Sequence, residues 1–338
     1  MFTNILSLLT LFLVSTDGSS NLKGTTNKGT YDWKDFTLFK DRFNKVYSDE
    51  EVDSRFEIFR TNVRSIIEHN IVPNQNFTLG VNQFSDLTPE EFKALYINSG
   101  FQGVNVGSYG CKTYTSSATS APASLDWRQK NAVTSVKDQG SCGSCWTFSS
   151  TGASEGAWAI STGKLIDLSE QQLVDCATGV SYGSHGCNGG QMEGADKYLI
   201  ANGQCTLASY PYTAADGKCK TCSPVAHFSS CSDVKPNDQI SLLNAVSIGP
   251  VSVAIEADTR YFQSYTSGIL DATTCGTTLD HGVLITGYGT DNGQKYWNVK
   301  NSWSSTWGEQ GYVRILRSDS TNDAGICGIA MQPSFISV

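Results

Sequence analysis

Only four histidines occur in this chain, His69, His185, His227 and His281, so any imidazole chemistry has a short list of candidates. Basic charge is scarce as well: 24 Lys and Arg stand against 32 Asp and Glu, a formal net charge of −8, and the sequence pI is near 5.0. That balance argues against nucleic acid or an anionic membrane surface as a partner held by simple electrostatics. Long apolar runs are missing. Ile5 to Val14 is apolar but too short to span a bilayer; with the small polar stretch Ser15 to Ser20 behind it, residues 1–20 read as a signal peptide with a weak basic start. No other run is long enough to span, so no membrane-spanning segment is expected. Cys142 and Cys145 have no second cysteine pair of matching spacing, which removes the usual zinc pattern; no metal or organic cofactor is expected.

What the chain has in quantity is cysteine, eleven in 338 residues. Such a number suits an oxidising secretory route better than a reducing cytosol. With 39% hydrophobic and 17% charged residues, the chain suits a soluble globular protein with a large core. One thiol stands apart from the rest. In Gln139-Gly-Ser-Cys-Gly-Ser-Cys-Trp146, Cys145 follows a glycine turn and precedes an apolar segment from Trp146 to Ile160 that reads as a helix ending near Gly163. Unpaired N–H groups and the dipole at a helix start favour thiolate, so a nucleophile is expected there, with Cys142 as the competing sulfur.

The chain divides into two parts. Phe36, Phe39 and Phe43, then Phe56, Phe59, Val63, Ile66 and Ile67, recur at helical spacing and predict two amphipathic helices, with Ser48-Asp49-Glu50 as the cap of the second. Glu51, Arg55, Phe59, Asn62, Ile66 and Asn70 form one stripe along that second helix. Residues 101–122 are rich in Gly, Ser, Thr and Ala and read as an exposed linker where cleavage is expected. In the C-terminal half, Pro250 to Ile255, His281 to Thr286, Lys295 to Lys300 and Gly311 to Leu316 are strand-like runs, with a turn at Asp291-Asn-Gly293. A helical half followed by a β-rich half makes their interface a natural cleft.

Cys142-Gly-Ser-Cys145-Trp146, Leu279-Asp-His281-Gly-Val-Leu-Ile-Thr-Gly-Tyr-Gly289 and Asn301-Ser-Trp303 resemble the three motifs of papain-family cysteine proteases. The helical stripe and Gly80-Val-Asn82-Gln-Phe84-Ser-Asp86 resemble the propeptide motifs of the cathepsin L-like branch. The resemblance covers nearly all of the chain beyond the signal segment. It implies an α+β fold with a helical and a β-rich domain around an active-site cleft, an inhibitory propeptide over 31–100, and a peptidase domain over 123–338. It assigns Cys145 as nucleophile and His281 as general acid/base. Asn301 would orient the imidazole, Trp303 would shield that bond, and the Gln139 amide with the Cys145 N–H would form the oxyanion hole.

The same resemblance implies a cysteine endopeptidase acting through a thioester, with protein and peptide substrates, its own propeptide as inhibitor, and a monomeric state. Gly143 and the loop Cys187-Asn-Gly189-Gly190 would meet substrate backbone. The pocket for the second residue before the scissile bond would be lined by Gln191, Met192, Ala254, Leu279, Gly282 and Gln332. It would take apolar side chains, with polar ones better tolerated because of the two glutamines. Matching positions give disulfides Cys142–Cys187, Cys176–Cys219 and Cys275–Cys327. Cys111 falls in the linker, and one bridge among Cys205, Cys222 and Cys231, with Cys205–Cys222 the candidate, would leave one thiol free. Asn76-Phe-Thr78 is the one glycosylation sequon. A lysosome-like compartment or secretion is expected. A non-enzymatic relative and an exopeptidase are the alternatives; retention of Cys145, His281 and Asn301 and the lack of a His-rich insertion weigh against them.

Overall fold

The computed structural model describes residues 32–97, 107–115, 121–271 and 275–338; the signal peptide expected over 1–20 lies outside them. The first helix, α1 (Trp33–Phe43), opens with a reciprocal cap between Asp32 and Asp35 and ends on Asn44 in the left-handed conformation. Helix α2 (Val52–Asn70) starts differently from expectation. Ser48 does not cap it; the Glu51 carboxylate instead accepts from Ser48 N and Oγ at 3.4 and 3.3 Å. Phe36, Phe39, Phe59 and Val63 are buried between the two helices, with ring centroids of Phe59 at 5.4 Å from Phe36 and 4.8 Å from Phe39.

The stripe on α2 explains how the chain folds back. Asn70 Nδ2 donates to Leu79 O at 2.8 Å and its Oδ1 accepts from Leu79 N at 3.0 Å, fixing β1 (Phe77–Leu79). Asn62 Nδ2 donates to the carbonyls of Ser85 and Leu87 at 3.0 and 2.9 Å. Arg55 donates to Asp86 O at 3.1 Å and pairs with Glu91 at 2.7 Å. Glu91 belongs to α3 (Pro89–Phe92), which Thr88 caps, and Lys93–Ile97 continues it as a π-helical turn. Buried Asp86 accepts from Lys45 Nζ at 3.0 Å and the Tyr47 hydroxyl at 2.5 Å. Each polar residue of the stripe therefore satisfies backbone or charge that would otherwise be orphaned.

Residues 107–115 depart from the expectation of an exposed linker. They hold a short strand, β2 (Lys112–Thr113), and Cys111 is buried. Beyond β3 (Leu125–Asp126), the helical half is built on α4 (Cys145–Thr162), α5 (Glu170–Cys176) and α6 (Met192–Asn202). Gly163 closes α4 at φ 74, as its sequence position predicts. Trp146, Leu168, Leu173, Met192, Leu199 and Ala254 are buried in this half.

The other half contains β4 (Ser230–Asp233), α7 (Gln239–Ile248), β5 (Val251–Ile255), α8 (Arg260–Gln263) and β6 (Tyr265–Leu270). Then β7 (His281–Asp291), β8 (Gln294–Lys300), β9 (Tyr312–Leu316) and β10 (Ser334–Ser337) complete a ten-stranded sheet in the order β1-β6-β9-β8-β7-β5-β10-β4-β2, with β3 paired to β7. The β7–β8 turn carries Asn292 at φ 48 and Gly293 at φ 82, as expected of an Asn-Gly hairpin. Strand β1 of the N-terminal region adds antiparallel to β6, so this region joins the sheet at its edge. Residues 31–338 form one compact unit.

Ten cysteines are bridged: Cys142–Cys187, Cys176–Cys219, Cys275–Cys327, Cys205–Cys222 and Cys111–Cys231. The first three follow the implied pairing. The expectation of a free thiol besides Cys145 is corrected, because Cys111 enters the sheet beside Cys231 and takes it as partner. Truncating Phe59 to Ala should cost about 3–5 kcal/mol in so small an aromatic core. In a Cys145→Ala background at neutral pH, limited proteolysis should then cut within residues 32–70 of the variant and spare the parent.

Candidate active site

Cys145 is the first residue of α4, and Ser144 before it makes no side-chain cap, so the positive end of the helix faces the sulfur without a capping side chain. Opposite it, His281 opens β7. The two element ends abut: a side chain on Gly282 would begin 3.2 Å from Cys145 O and from Trp146 N and Cα. Glycine is needed there for the closeness of the approach.

His281 Nε2 lies 2.8 Å from Asn301 Oδ1, so with the proton on Nε2 the ring donates to the amide oxygen. That bond leaves Nδ1, buried and without a hydrogen-bond partner among the described residues, as the nitrogen able to serve the thiol. The Trp303 ring stacks on the imidazole at 4.6 Å and 27°, and His281 has 0% exposure. Asn301 Oδ1 also accepts from Ser302 N at 2.8 Å, fixing the amide orientation.

Gln139 is held from four sides. Its N–H donates to Ser302 O at 2.8 Å, its Oε1 accepts from Ser302 Oγ at 2.6 Å, and its carbonyl accepts from the Tyr212 hydroxyl at 2.7 Å. The Nε2 group then has its donors aimed at Cys142 O, 2.9 Å away, and at Tyr96 O, 3.1 Å away. Tyr96 comes from the N-terminal region. A carbonyl oxygen of that region thus rests on the donor expected to serve an oxyanion.

Around this carbonyl, Phe84, Phe92 and Tyr96 pack on one another and cover Trp303, with Phe84 and Phe92 edge-on to it at 5.5 and 5.2 Å. Gln83 Nε2 donates to Trp303 O at 2.7 Å, and Asn82 Nδ2 to Gln263 O at 2.7 Å. Cys145 and His281 are both buried. Burial pushes the Cys145 thiol up to about 12, against the opposing pull of the Gly282 N–H, and brings the imidazole down to about 4 despite its bond to Asn301. With the cover in place, the neutral thiol and neutral imidazole are favoured.

The residues expected to meet substrate are placed as follows. Gly143 N donates to Cys187 O at 2.9 Å, and Gly189 has φ 100. A side chain on Gly190 would begin 2.6 Å from the Trp146 ring. Met192 and Ala254 are buried in the helical-half core, and Leu279 packs against it. Gln332 and Gln191 are buried and joined, Nε2 to Oε1 at 3.0 Å, and Gln332 Nε2 also lies 3.0 Å from Glu193 Oε2. Ser302, Tyr212, Tyr96 and Glu193 escaped the sequence reading. Ser302 lies inside the Asn301-Ser-Trp303 motif and was legible in principle; Tyr96 acts through its backbone and leaves no residue signature.

Residues 121–337 match the family described as papain family cysteine protease, and residues 36–92 match the cathepsin propeptide inhibitor domain. A senescence-specific cysteine protease of Oryza sativa subsp. japonica is 46% identical over 299 residues, covering 87% of each chain. Cysteine protease RD21C of Arabidopsis thaliana is 47% identical over 290 residues, or 84% of this chain; this chain spans 63% of the length of that relative and of RD21B from the same plant. Among solved structures, digestive procathepsin L 3 of Tenebrio molitor larval midgut gives a TM-score of 0.82 at 42% identity, covering 90% of this chain and 98% of that one. Recombinant stem bromelain precursor gives 0.81 at 40%, with the same coverage. Replacing Gln139 by Ala should lower kcat about 10²–10³-fold with KM little changed, whereas Ser302→Ala should give a smaller loss of the same kind; steady-state kinetics on an internally quenched peptide measures both.

Proposed function

The chain belongs to the papain family of cysteine proteases, and from that premise we propose that it is an endopeptidase made as an inactive precursor, with residues 32–97 acting as its inhibitor. The observation that carries this is the Tyr96 carbonyl on the Gln139 amide, above a buried Cys145 and a His281 bonded to Asn301. A covering segment that satisfies the oxyanion donor occupies the place of the reacting carbonyl. Inhibition and catalysis then use one set of groups.

Once the cover leaves, water and substrate dipoles reach the pair, and transfer of the thiol proton to His281 Nδ1 yields thiolate and imidazolium. The thiolate attacks the scissile carbonyl carbon, and the new oxyanion is received by Cys145 N–H and Gln139 Nε2. His281 gives its proton to the leaving amine as the C–N bond breaks, leaving a thioester. Water, deprotonated by the imidazole, attacks the thioester; the thiolate leaves and the acid product departs. Asn301 holds the ring through both proton transfers, and Trp303 keeps water from that bond.

Peptide substrate would lie extended along Gly143, Gly189 and Gly190, and its second residue before the scissile bond would enter the pocket of Gln191, Met192, Ala254, Leu279, Gly282 and Gln332. Buried Met192 and Ala254 favour an apolar side chain, and the paired glutamines admit a polar one. A profiling library should show Leu, Val and Phe accepted there with polar residues tolerated; cleavage confined to basic residues would overturn the pocket assignment. The exposed Asn76 is the proposed N-glycan acceptor on the inhibitor. Five disulfides support the secretory route, and we read the working enzyme as a monomer. No helix among the described residues is long and apolar enough to cross a membrane.

Acid is the expected trigger. The Arg55 bond holds the Glu91 carboxyl below its ordinary value, so its contribution to the inhibitor's fold is present above that ordinary value and is lost as pH falls through the lowered one. Wild-type precursor should mature on acidification and then label at Cys145 with a thiol-directed epoxide. The Cys145→Ala precursor alone should stay uncut under the same conditions; its rapid self-maturation would rule out Cys145 as the processing nucleophile.

A further inference from the structure

Residues 107–115 stand before the 121–337 span that matches the peptidase family, yet they are joined to that span in five ways. Cys111 is bonded to Cys231 on β4, with both residues buried. Strand β2 runs parallel to β4, Lys112 opposite Ser232 and Thr113 opposite Asp233. Asp233 accepts at both ends of the segment, Gly107 N to its Oδ2 at 2.6 Å and Tyr114 N to its carbonyl at 2.8 Å. The Tyr114 ring meets Phe335 of β10 edge-on at 5.4 Å. Lastly, the Tyr109 hydroxyl fills a notch: a side chain at Gly183 would begin 1.9 Å from it, and the same point is 3.4 Å from Gln191 Cγ.

The inhibitor is attached in another manner. Residues 32–97 hold the peptidase through the β1–β6 pairing, the Lys93–Asp258 ion pair, the amide contacts of Asn82 and Gln83, and the aromatic cover. All of these are non-covalent and reversible, as an inhibitor that must leave requires. The disulfide at Cys111 is neither lost in acid nor undone by a backbone cut.

We propose that residues 107–115 are a permanent strand of the catalytic domain, retained through activation by the Cys111–Cys231 bond, and that Tyr109 is a positioning residue buttressing the Gln191 wall of the substrate cleft. A cut before residue 107 leaves the strand contiguous with the enzyme. A cut between 115 and 121 leaves it attached as a disulfide-linked peptide. In either case the inhibitor departs and the strand stays. Gly183 is at φ +62, a left-handed conformation that glycine takes without strain, so both backbone and space at the notch suit Tyr109 rather than a side chain of its own.

This rests on the reading of the chain as a precursor, but the bond itself can be tested separately. Peptic mapping of uncut Cys145→Ala precursor at acid pH without reductant should yield a peptide pair joining Cys111 to Cys231; alkylation of Cys231 as a free thiol would overturn the proposal. Mature enzyme, produced by self-processing or, should none occur, by pepsin, should retain residues 107–115 by non-reducing intact mass. Loss of the segment with Cys231 free would overturn retention. Failure of self-processing alone would count against the precursor reading and leave the mapping result intact. Tyr109→Ala should raise KM for a peptide with a bulky apolar second residue by about threefold or more with kcat nearly unchanged, and Tyr109→Phe, which keeps the ring but loses the hydroxyl in the notch, should give a smaller rise of the same kind. Unchanged KM in Tyr109→Ala overturns the buttressing role.

Discussion

The cleft side of this molecule depends on how one amide is held. Gln139 bonds through its backbone and Oε1 to Ser302 of the β-rich half, through its carbonyl to Tyr212, and through Nε2 to Cys142 O, next to the disulfide that anchors the Gly189-Gly190 loop. Three segments distant in sequence are thereby set around one NH₂ group. A donor must be in place before charge develops if it is to lower the barrier, since reorganising it during the reaction would consume the gain. The same rigidity makes the amide a fixed target for inhibition. Tyr96 O needs only to arrive at a donor already oriented for it.

Cys145 and His281 are themselves buried, and burial moves their proton affinities in opposite directions. A thiol raised to about 12 and an imidazole lowered to about 4 disfavour the ion pair on both sides at once. Burial in this state therefore suppresses the nucleophile. Acid acts differently on the two parts of the chain. Glu91, lowered by Arg55, contributes stability to the inhibitor that declines in acid. Within the peptidase, Glu193 is raised by burial from its ordinary 4.5 to about 7, and buried Asp196 also lies well above its ordinary value. A raised carboxyl contributes stability that is complete below its unfolded value and lost as pH climbs through the folded one. Acidification weakens the clamp while these peptidase groups are at their most favourable.

Much of this was legible in the sequence because it was written in side chains at regular spacing. The Phe36, Phe39 and Phe59 pattern predicted the helix pair, Asn292-Gly293 the hairpin, and the Cys145, His281 and Asn301 motifs the residues that the fold gathers. The α2 stripe was legible as a stripe, but its purpose was not: Asn62 and Asn70 bind carbonyls 23 and 9 residues away, and those distances depend on the returning chain. Backbone acts leave still less trace. Tyr96 meets Gln139 through its carbonyl, in a π-helical turn that no periodicity announced. Cys111 was misread for a related reason. Its neighbours are small and polar, as in a linker, and the sheet edge that captures them lies 120 residues further on.

That capture divides the N-terminal region by the kind of bond rather than by composition. Up to Ile97 the contacts with the peptidase are hydrogen bonds, one strand pairing, an ion pair and aromatic packing, and several of these weaken when carboxylates are protonated or water enters. From Gly107 onward a covalent bond is added. A zymogen needs attachment that is reversible over the active site, yet a small edge strand such as β2, two residues long, buries too little to hold by pairing alone once the chain is cut. Placing the disulfide at Cys111 meets the second need without compromising the first. Under the proposed scheme the inhibitor's departure would be decided by its own non-covalent contacts, and the Gln191 wall would keep its support whichever bond is cut.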